Sequence, residues 1–377
     1  MKRIDFVFFD AGGGHRSAAT ALARAIEQRK LPWEIRLLNL QEALDPLDEL
    51  RNLTGVRIQD LYNRMLRSGW TLGSRKLMRM LQAGIRAYHG KAVRHLEKYW
   101  RERAPDMVVS FVPHFNRALC ESYRNVFPGR PFVTILTDIA DYPPHFWIER
   151  QEQYLVCGSA RAVEQARALG HAADRVFRAS GMIVHPRFYE PQPADRAGER
   201  RRAGLDPELP TGLVLFGGHG SRAMLEIARR LDRSQLNVQL ILLCGRNEEL
   251  ARALRGEKLR LRRRVEGFTE RVPYWMHLSD FFIGKAGPGS LSEAMVKGLP
   301  AIVECNAWTL PQERYNAQWI RERGVGLVAP NFRRIDRTVG ELLRPEAFAR
   351  FRENTRREPN CAVFEIPGFL ERILERG

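Results

Sequence analysis

Residues 284–294 read Gly284-Lys285-Ala286-Gly287-Pro288-Gly289-Ser290-Leu291-Ser292-Glu293-Ala294. The apolar run Phe281-Phe282-Ile283 before them reads as a short buried strand, and Leu291 to Lys297 as a helix. A Gly/Pro-rich turn from strand to helix leaves backbone N–H groups pointing outward. The positive end of the helix dipole adds to them, so Gly287, Gly289 and Ser290 can seat a phosphate, with Lys285 beside it. Glu293, about one helical turn in, can accept hydrogen bonds from two adjacent hydroxyls such as a ribose diol. A diphosphate seat beside a diol acceptor suggests a nucleotide. The same string would also serve as an ordinary turn with a capping serine.

Gly217-Gly218-His219-Gly220-Ser221 repeats the strand-to-glycine-loop design and offers a second set of N–H donors, chiefly at Gly217, Gly218 and Ser221. Near the N-terminus, Gly12-Gly13-Gly14-His15 opens a helix, where Gly13 and Gly14 let the backbone approach a ligand closely. This is a near miss of the dinucleotide pattern: Ser17 stands at the third glycine, and no acidic residue ends the second strand directly, although Glu42 is close. No DxD occurs and no His/Cys/Asp cluster has metal-ligand spacing, so no metal and no cofactor is expected. GxSxG and GxxxxGK[ST] are absent as well, which removes hydrolase and P-loop readings.

Positioning these residues requires strands that alternate with helices. Lys2–Asp10, Trp33–Leu40, Met107–Phe111 and Phe132–Leu136 read as strands, with a helix over Arg16–Arg29. A second set of strands comprises Leu213–Phe216, Val238–Cys244, Phe281–Ile283 and Ala301–Glu304. The pattern implies α/β architecture with doubly wound parallel sheets. The 377 residues suit two domains, and 44% hydrophobic with 28% charged content is globular. Pro186, Pro191 and Pro193 with the charged stretch Asp195–Arg202 read as the linker. No run reaches membrane-spanning length, and Phe6–Phe9 is too short for a signal peptide. Five scattered cysteines read as reduced thiols of a cytoplasmic chain.

The whole string Val265–Ile320 resembles the donor-nucleotide region of the monogalactosyldiacylglycerol synthase and processive diacylglycerol glucosyltransferase family. These are family 28 glycosyltransferases, related to the GlcNAc transferase that forms lipid II. AGGGHRSAATAL at 11–22, TDIADYPPHFW at 137–147, SGMIVHPRF at 180–188, LVLFGGHGS at 213–221 and LILLCGRN at 240–247 follow in the family's order. The resemblance implies the GT-B fold, two Rossmann-like domains facing a cleft. Expected divisions are an acceptor and membrane domain over 1–190, a UDP-sugar domain over 191–345 and a helical tail over 346–377 that returns to the first. It also implies that His15 deprotonates the acceptor hydroxyl, a role suited to an imidazole whose ordinary pKa is about 6.5. Asp138 would orient His15, bind acceptor hydroxyls or cap its turn. Pro143-Pro144-His145-Phe146-Trp147 reads as a rigid aromatic patch for a lipid or sugar face. Arg246 would lie near the diphosphate, Phe268 where the uracil is held, and Gln312 and Glu313 at the transferred sugar. Plant relatives carry Gly-Gln-Glu where this chain has Pro311-Gln312-Glu313, which leaves the sugar open.

A net charge of +17 calls for a polyanionic partner. Residues 61–96 contain no Asp or Glu, and Arg64, Arg67, Arg75, Lys76 and Arg79 are interleaved there with Trp70, leucines and methionines. That composition describes an interfacial segment on anionic lipid; no nucleic-acid motif accompanies it. The reading is an inverting, metal-independent transferase of a UDP-sugar hexose to a lipid, diacylglycerol, peripheral on the cytoplasmic face of a membrane. Rival readings are a GlcNAc transferase for peptidoglycan or lipopolysaccharide precursors, a nucleotide-sugar epimerase, and a non-catalytic basic lipid-binding protein.

Overall fold

The computed structural model describes residues 1–10, 13–44 and 74–376. They form two compact units. The first comprises Met1–Pro186, Leu310–Gln312 and Cys361–Gly377; the second comprises Arg187–Thr309 and Glu313–Asn360.

The first unit runs β1 (Lys2–Phe8), α1 (Gly14–Gln28), β2 (Trp33–Asn39), α2 (Leu40–Leu44), α3 (Ser74–Arg103), β3 (Met107–Ser110), α4 (Asn116–Val126), β4 (Phe132–Ile135), β5 (Tyr154–Cys157), α5 (Ala160–Ala168) and β6 (Val176–Arg178). Its sheet has the order β2-β1-β3-β4-β5-β6, with every pair parallel. Helices cover both faces of such a sheet, which is why its strands are near-continuous apolar runs. Ala18, Leu22 and Ile26 of α1 recur on one side of the helix and bury against Ile4 and Phe6. Asp5 of β1 is fully buried and receives Nε of Arg36 at 2.6 Å and Nε of Arg103 at 2.9 Å, which fastens the end of α3 to the sheet.

The second unit runs α6 (Arg196–Arg202), β7 (Thr211–Leu215), α7 (Ala223–Arg233), β8 (Gln239–Leu243), α8 (Glu248–Gly256), β9 (Arg263–Glu266), α9 (Val272–His277), β10 (Phe281–Lys285), α10 (Pro288–Val296), β11 (Ala301–Glu304), α11 (Pro311–Arg323), β12 (Gly326–Ala329), α12 (Ile335–Leu342) and α13 (Pro345–Arg356). Strand order is β12-β11-β10-β7-β8-β9, again all parallel. From β7 the chain winds outward to β9, then returns across β7 and winds the other way from β10. The order therefore reverses between β7 and β10, the kind of switch point at which doubly wound sheets bind ligands beyond the carboxyl ends of their strands.

The charged stretch read as a linker is instead helix α6, built into the second unit. Asp195 caps it, its side chain accepting from Gly198 N–H. Arg200 is buried, donating to Leu278 O at 2.9 Å, Pro207 O at 2.8 Å and Asp280 Oδ2 at 2.6 Å. Arg196 reaches His277 O, Ser279 O and Asp280 Oδ1 at 2.7, 2.7 and 2.8 Å. Guanidinium groups can be buried when their N–H groups find carbonyls and a carboxylate, and sequence composition does not reveal such partners. The last helix, α14 (Ala362–Arg376), belongs to the first unit, where Ala362, Ile366, Leu370 and Ile373 enter the core formed by β1 and α1.

Of the residues assigned to lipid contact, Arg64, Arg67 and Trp70 lie outside the described residues. Arg75, Lys76 and Arg79 fall in the first two turns of α3, where the backbone alone is described. Among the described residues no helix is long and apolar enough to cross a membrane.

Asp280 also accepts from the backbone N–H of Thr211 at 2.8 Å, so it joins α6, β7 and the start of β10. Asp280→Ala strands two guanidinium groups and should cost the second unit about 3–5 kcal/mol. Denaturant unfolding of the variant, with a midpoint equal to that of the parent, would contradict this role.

Candidate active site

In the second unit both glycine loops leave strands that flank the reversal point. Phe216-Gly217-Gly218 follows β7 and Ala286-Gly287-Pro288 follows β10, and β7 and β10 are hydrogen-bonded neighbours. Gly287 is the N-cap of α10 and Pro288 its first residue, while Ser290 sits inside the helix and makes no cap bond. The alternative of a serine-capped turn is thereby corrected. The first amides of a helix have no intrahelical acceptor, so Gly289 and Ser290 present N–H groups at this end. Lys285, at the end of β10, donates to Glu313 Oε1 at 2.8 Å. Asn316, fully buried on the same face of α11, donates Nδ2 to Ala286 O at 2.7 Å and so fixes the turn from behind.

The Gly217–Ser221 loop is braced by the next one along the sheet. Gly245 has φ +58°, and a Cβ there would lie 2.3 Å from Gly218 O, so no other residue fits without displacing the loop. Arg246 N–H donates to Gly218 O at 2.8 Å and Asn247 Nδ2 to His219 O at 3.2 Å. The Arg246 guanidinium stacks over Phe268, 5.2 Å from the ring centroid, and Phe268 is 61% exposed. An exposed aromatic at a strand's carboxyl end, held by a cation, offers its edge and neighbouring backbone to a flat ring.

Glu293 lies in the second turn of α10 with no hydrogen-bond donor among the described residues. Burial raises its carboxyl from 4.5 to about 7, with the Arg187 charge opposing the shift. Gln312 Oε1 and Asn316 Oδ1 are likewise buried without a partner among the described residues. In the second unit Glu293 and Asn316 Oδ1 thus keep acceptor capacity that the described residues leave unsatisfied, whereas Gln312 falls in the first unit.

In the first unit, Gly13 holds φ +79° and starts α1, with Gly14 and His15 as its first residues. His15 Nδ1 lies 2.9 Å from Thr137 Oγ1, just past β4. Its ring packs against Trp147, centroids 5.6 Å apart. Desolvation lowers the imidazole from 6.5 to about 4, so the ring is neutral at ordinary pH. In the tautomer whose Nδ1–H donates to the threonine hydroxyl, Nε2 carries the lone pair.

The side chain beside His15 Nδ1 is Thr137, and Asp138 makes a hydrogen bond with Trp147. The Asp138 Oδ2 accepts the Trp147 indole N–H at 2.9 Å, so it sets the tryptophan on which the imidazole rests. The residue in the orienting place is Thr137, one position earlier in a pair that drew attention to its carboxylate. Nor is residues 143–147 an open aromatic face. Phe146 and Trp147 are buried, and Asp141 folds the segment inward by accepting the N–H groups of His145 at 3.0 Å and Trp147 at 2.6 Å.

Residues 213–354 match the Glycosyltransferase family 28 C-terminal domain. The probable monogalactosyldiacylglycerol synthase 2, chloroplastic, of Oryza sativa subsp. japonica is 27% identical over 355 residues, covering 90% of this chain and 73% of the rice protein. Among solved structures, Acinetobacter baumannii MurG superimposes with a TM-score of 0.61 at 15% identity, over 99% of this chain and 100% of its own. The UDP complex of S. aureus MnaA gives 0.62 at 16% identity, over 100% and 98%. The two parallel six-stranded sheets and these likenesses establish the GT-B fold.

In a ¹⁵N NMR titration His15 should stay neutral down to about pH 5 as a single tautomer. Thr137→Val should leave the ring neutral but mix its tautomers. A ring that titrates near 6.5, or a tautomer indifferent to Thr137, would refute this arrangement.

Proposed function

Because this chain is a glycosyltransferase whose second unit carries the family 28 C-terminal domain, we propose that it moves a hexose from a UDP-sugar to a lipid hydroxyl, that of diacylglycerol. The observation that carries the donor assignment is the pairing of two N–H-rich loops at one reversal point with a bare carboxylate in the second turn of α10. The loops and Lys285 suit a diphosphate, Glu293 suits the ribose diol, and Gln312 with Glu313 suits the sugar hydroxyls. The UDP bound to S. aureus MnaA supports a uridine nucleotide, and the name of the rice relative supports a glycerolipid acceptor.

In this reading the first unit supplies the base. His15 Nε2 takes the proton of the acceptor hydroxyl as that oxygen bonds to the anomeric carbon. The bond from that carbon to the β-phosphate oxygen breaks, its electron pair leaving with UDP, and the sugar's configuration inverts. Helix dipole, backbone N–H groups and Lys285 offset the charge that grows on the diphosphate, without a divalent cation. The acceptor lies in an anionic membrane, and the basic segment 61–96 suits docking at its cytoplasmic face. Nucleic acid is not a partner in this scheme.

Incubation with UDP-glucose, UDP-galactose or UDP-GlcNAc and vesicles of diacylglycerol with anionic lipid should yield a hexosyl-diacylglycerol by mass spectrometry, insensitive to EDTA. Turnover with no sugar on diacylglycerol would reject this acceptor. His15→Ala should lower kcat by about 10²–10⁴-fold and leave UDP affinity intact; a wild-type kcat would remove His15 from the chemistry.

Uridine, which has no titrating phosphate, isolates Glu293. A diol donates best to the ionised carboxylate, so uridine affinity should rise from about pH 6 to about pH 8 as Glu293 loses its proton. Glu293→Gln should flatten that profile. A profile unchanged by the substitution places the diol elsewhere.

A further inference from the structure

The Lys285–Glu313 pair lies across the very turn that would seat the diphosphate. A Cβ placed on Gly287 would come 3.1 Å from Lys285 Cε, 3.5 Å from Glu313 Oε1 and 3.6 Å from Lys285 Nζ. The two charges therefore rest on the N-cap of α10, a nine-residue helix whose first amides and dipole favour an anion. The Glu313 side chain keeps 10% of its exposure, while that of Lys285 keeps 47%. A carboxylate so withdrawn from water is held by its cation and by the field of the helix end. Asn316, one turn on along α11, closes the back of the same turn, and its buried Oδ1 has no partner among the described residues. Thus α11 sets an anion of the protein's own against the seat and leaves a buried acceptor behind the turn unsatisfied.

We propose that Glu313 is an internal competitor for the anion seat. In the free protein its carboxylate holds Lys285 and lies in the field of the α10 terminus. An arriving diphosphate takes Lys285 and displaces the carboxylate, which is then free for hydroxyls of the transferred sugar. This rests on the reading of the second unit as a UDP-sugar site. The reason for such a device is that an empty seat of N–H groups and a lysine would bind any phosphate. A carboxylate in place makes each anion compete, and only a ligand with further contacts, at Glu293 and Phe268, wins readily. The apparent affinity is lowered by the fraction of molecules that hold the pair closed.

The test is calorimetric titration of wild type and Glu313→Gln with UDP, inorganic pyrophosphate and uridine. Glutamine keeps the shape and removes the charge. UDP and pyrophosphate should both bind the variant about three- to tenfold more tightly, whereas uridine should bind the two proteins alike. The uridine arm controls for folding, and Glu313→Ala should reproduce the gain. Affinities for UDP and pyrophosphate that are unchanged or weaker in both variants overturn the competitor, because a residue that only contacts sugar or only positions Lys285 cannot strengthen binding of a sugar-free diphosphate. A gain with pyrophosphate in a protein that ignores UDP upholds the competitor and rejects the nucleotide assignment.

Discussion

The second unit's site depends on how β10 lies against β7. Their parallel pairing aligns Phe281 with Gly212 and Gly284 with Leu215, and so brings the two glycine loops out at one edge of the sheet. Close approach is permitted by what the strands lack. A Cβ on Gly284 would lie 2.4 Å from Leu215 O, and one on Gly212 would lie 2.7 Å from the Phe281 ring. A residue larger than glycine at either place would push the strands apart and separate the loops. Behind this, Asp280 ties the first residue of β7 and two arginines of α6 to the start of β10, so the strands also share a fixed origin. The phosphate-seating chemistry is thus a property of the sheet's register, expressed at its far end.

The two residues best suited to chemistry share an electrostatic history. Burial raises Glu293 and lowers His15, and each shift favours the uncharged form. For His15 the result is a ring that is neutral throughout the physiological range, with Thr137 and Trp147 fixing how it is presented. For Glu293 the result is a carboxyl that sits near its midpoint at neutral pH, so a ligand with hydroxyls to donate determines its state. Arg187 is the charge that opposes the shift of Glu293, and in the Lys285–Glu313 pair at the loops the lysine is half exposed while the carboxylate is nearly buried.

Much of this was legible in residue order. Strands such as β7, β10 and β11 are largely apolar runs, and their reading as buried parallel strands needs only the burial of both faces. The same logic hides an outer strand such as β9. Arg263-Arg264-Val265-Glu266 forms β9 at a sheet edge, where solvent accepts charge and no apolar run is required. Helix α6 was hidden differently: its arginines look solvated until Asp280 and the carbonyls of His277, Leu278 and Ser279 are brought to them from about 80 residues away. Thr137 was passed over because a carboxylate beside it offered the stronger chemical motive, whereas the geometry needed a short hydroxyl. Side-chain aim at a strand's end cannot be read from residue type alone.

The placement of α14 bears on the order in which the protein can be made. The core around β1 and α1 draws Ala362, Ile366, Leu370 and Ile373 from a helix that follows the whole second unit in the chain. Phe177 stacks on Phe369, and Arg29 pairs with Glu371 in the same region. During synthesis the first sheet is therefore complete in its strands long before its covering helix exists. Until the ribosome has passed residue 376, Ile4, Phe6 and Leu22 have an apolar side with nothing to close it, while the second unit has every segment it requires by residue 360. The unit that emerges first is the one that must wait, and a nascent chain arrested before this helix would present a sticky, half-finished sheet to the cell's chaperones.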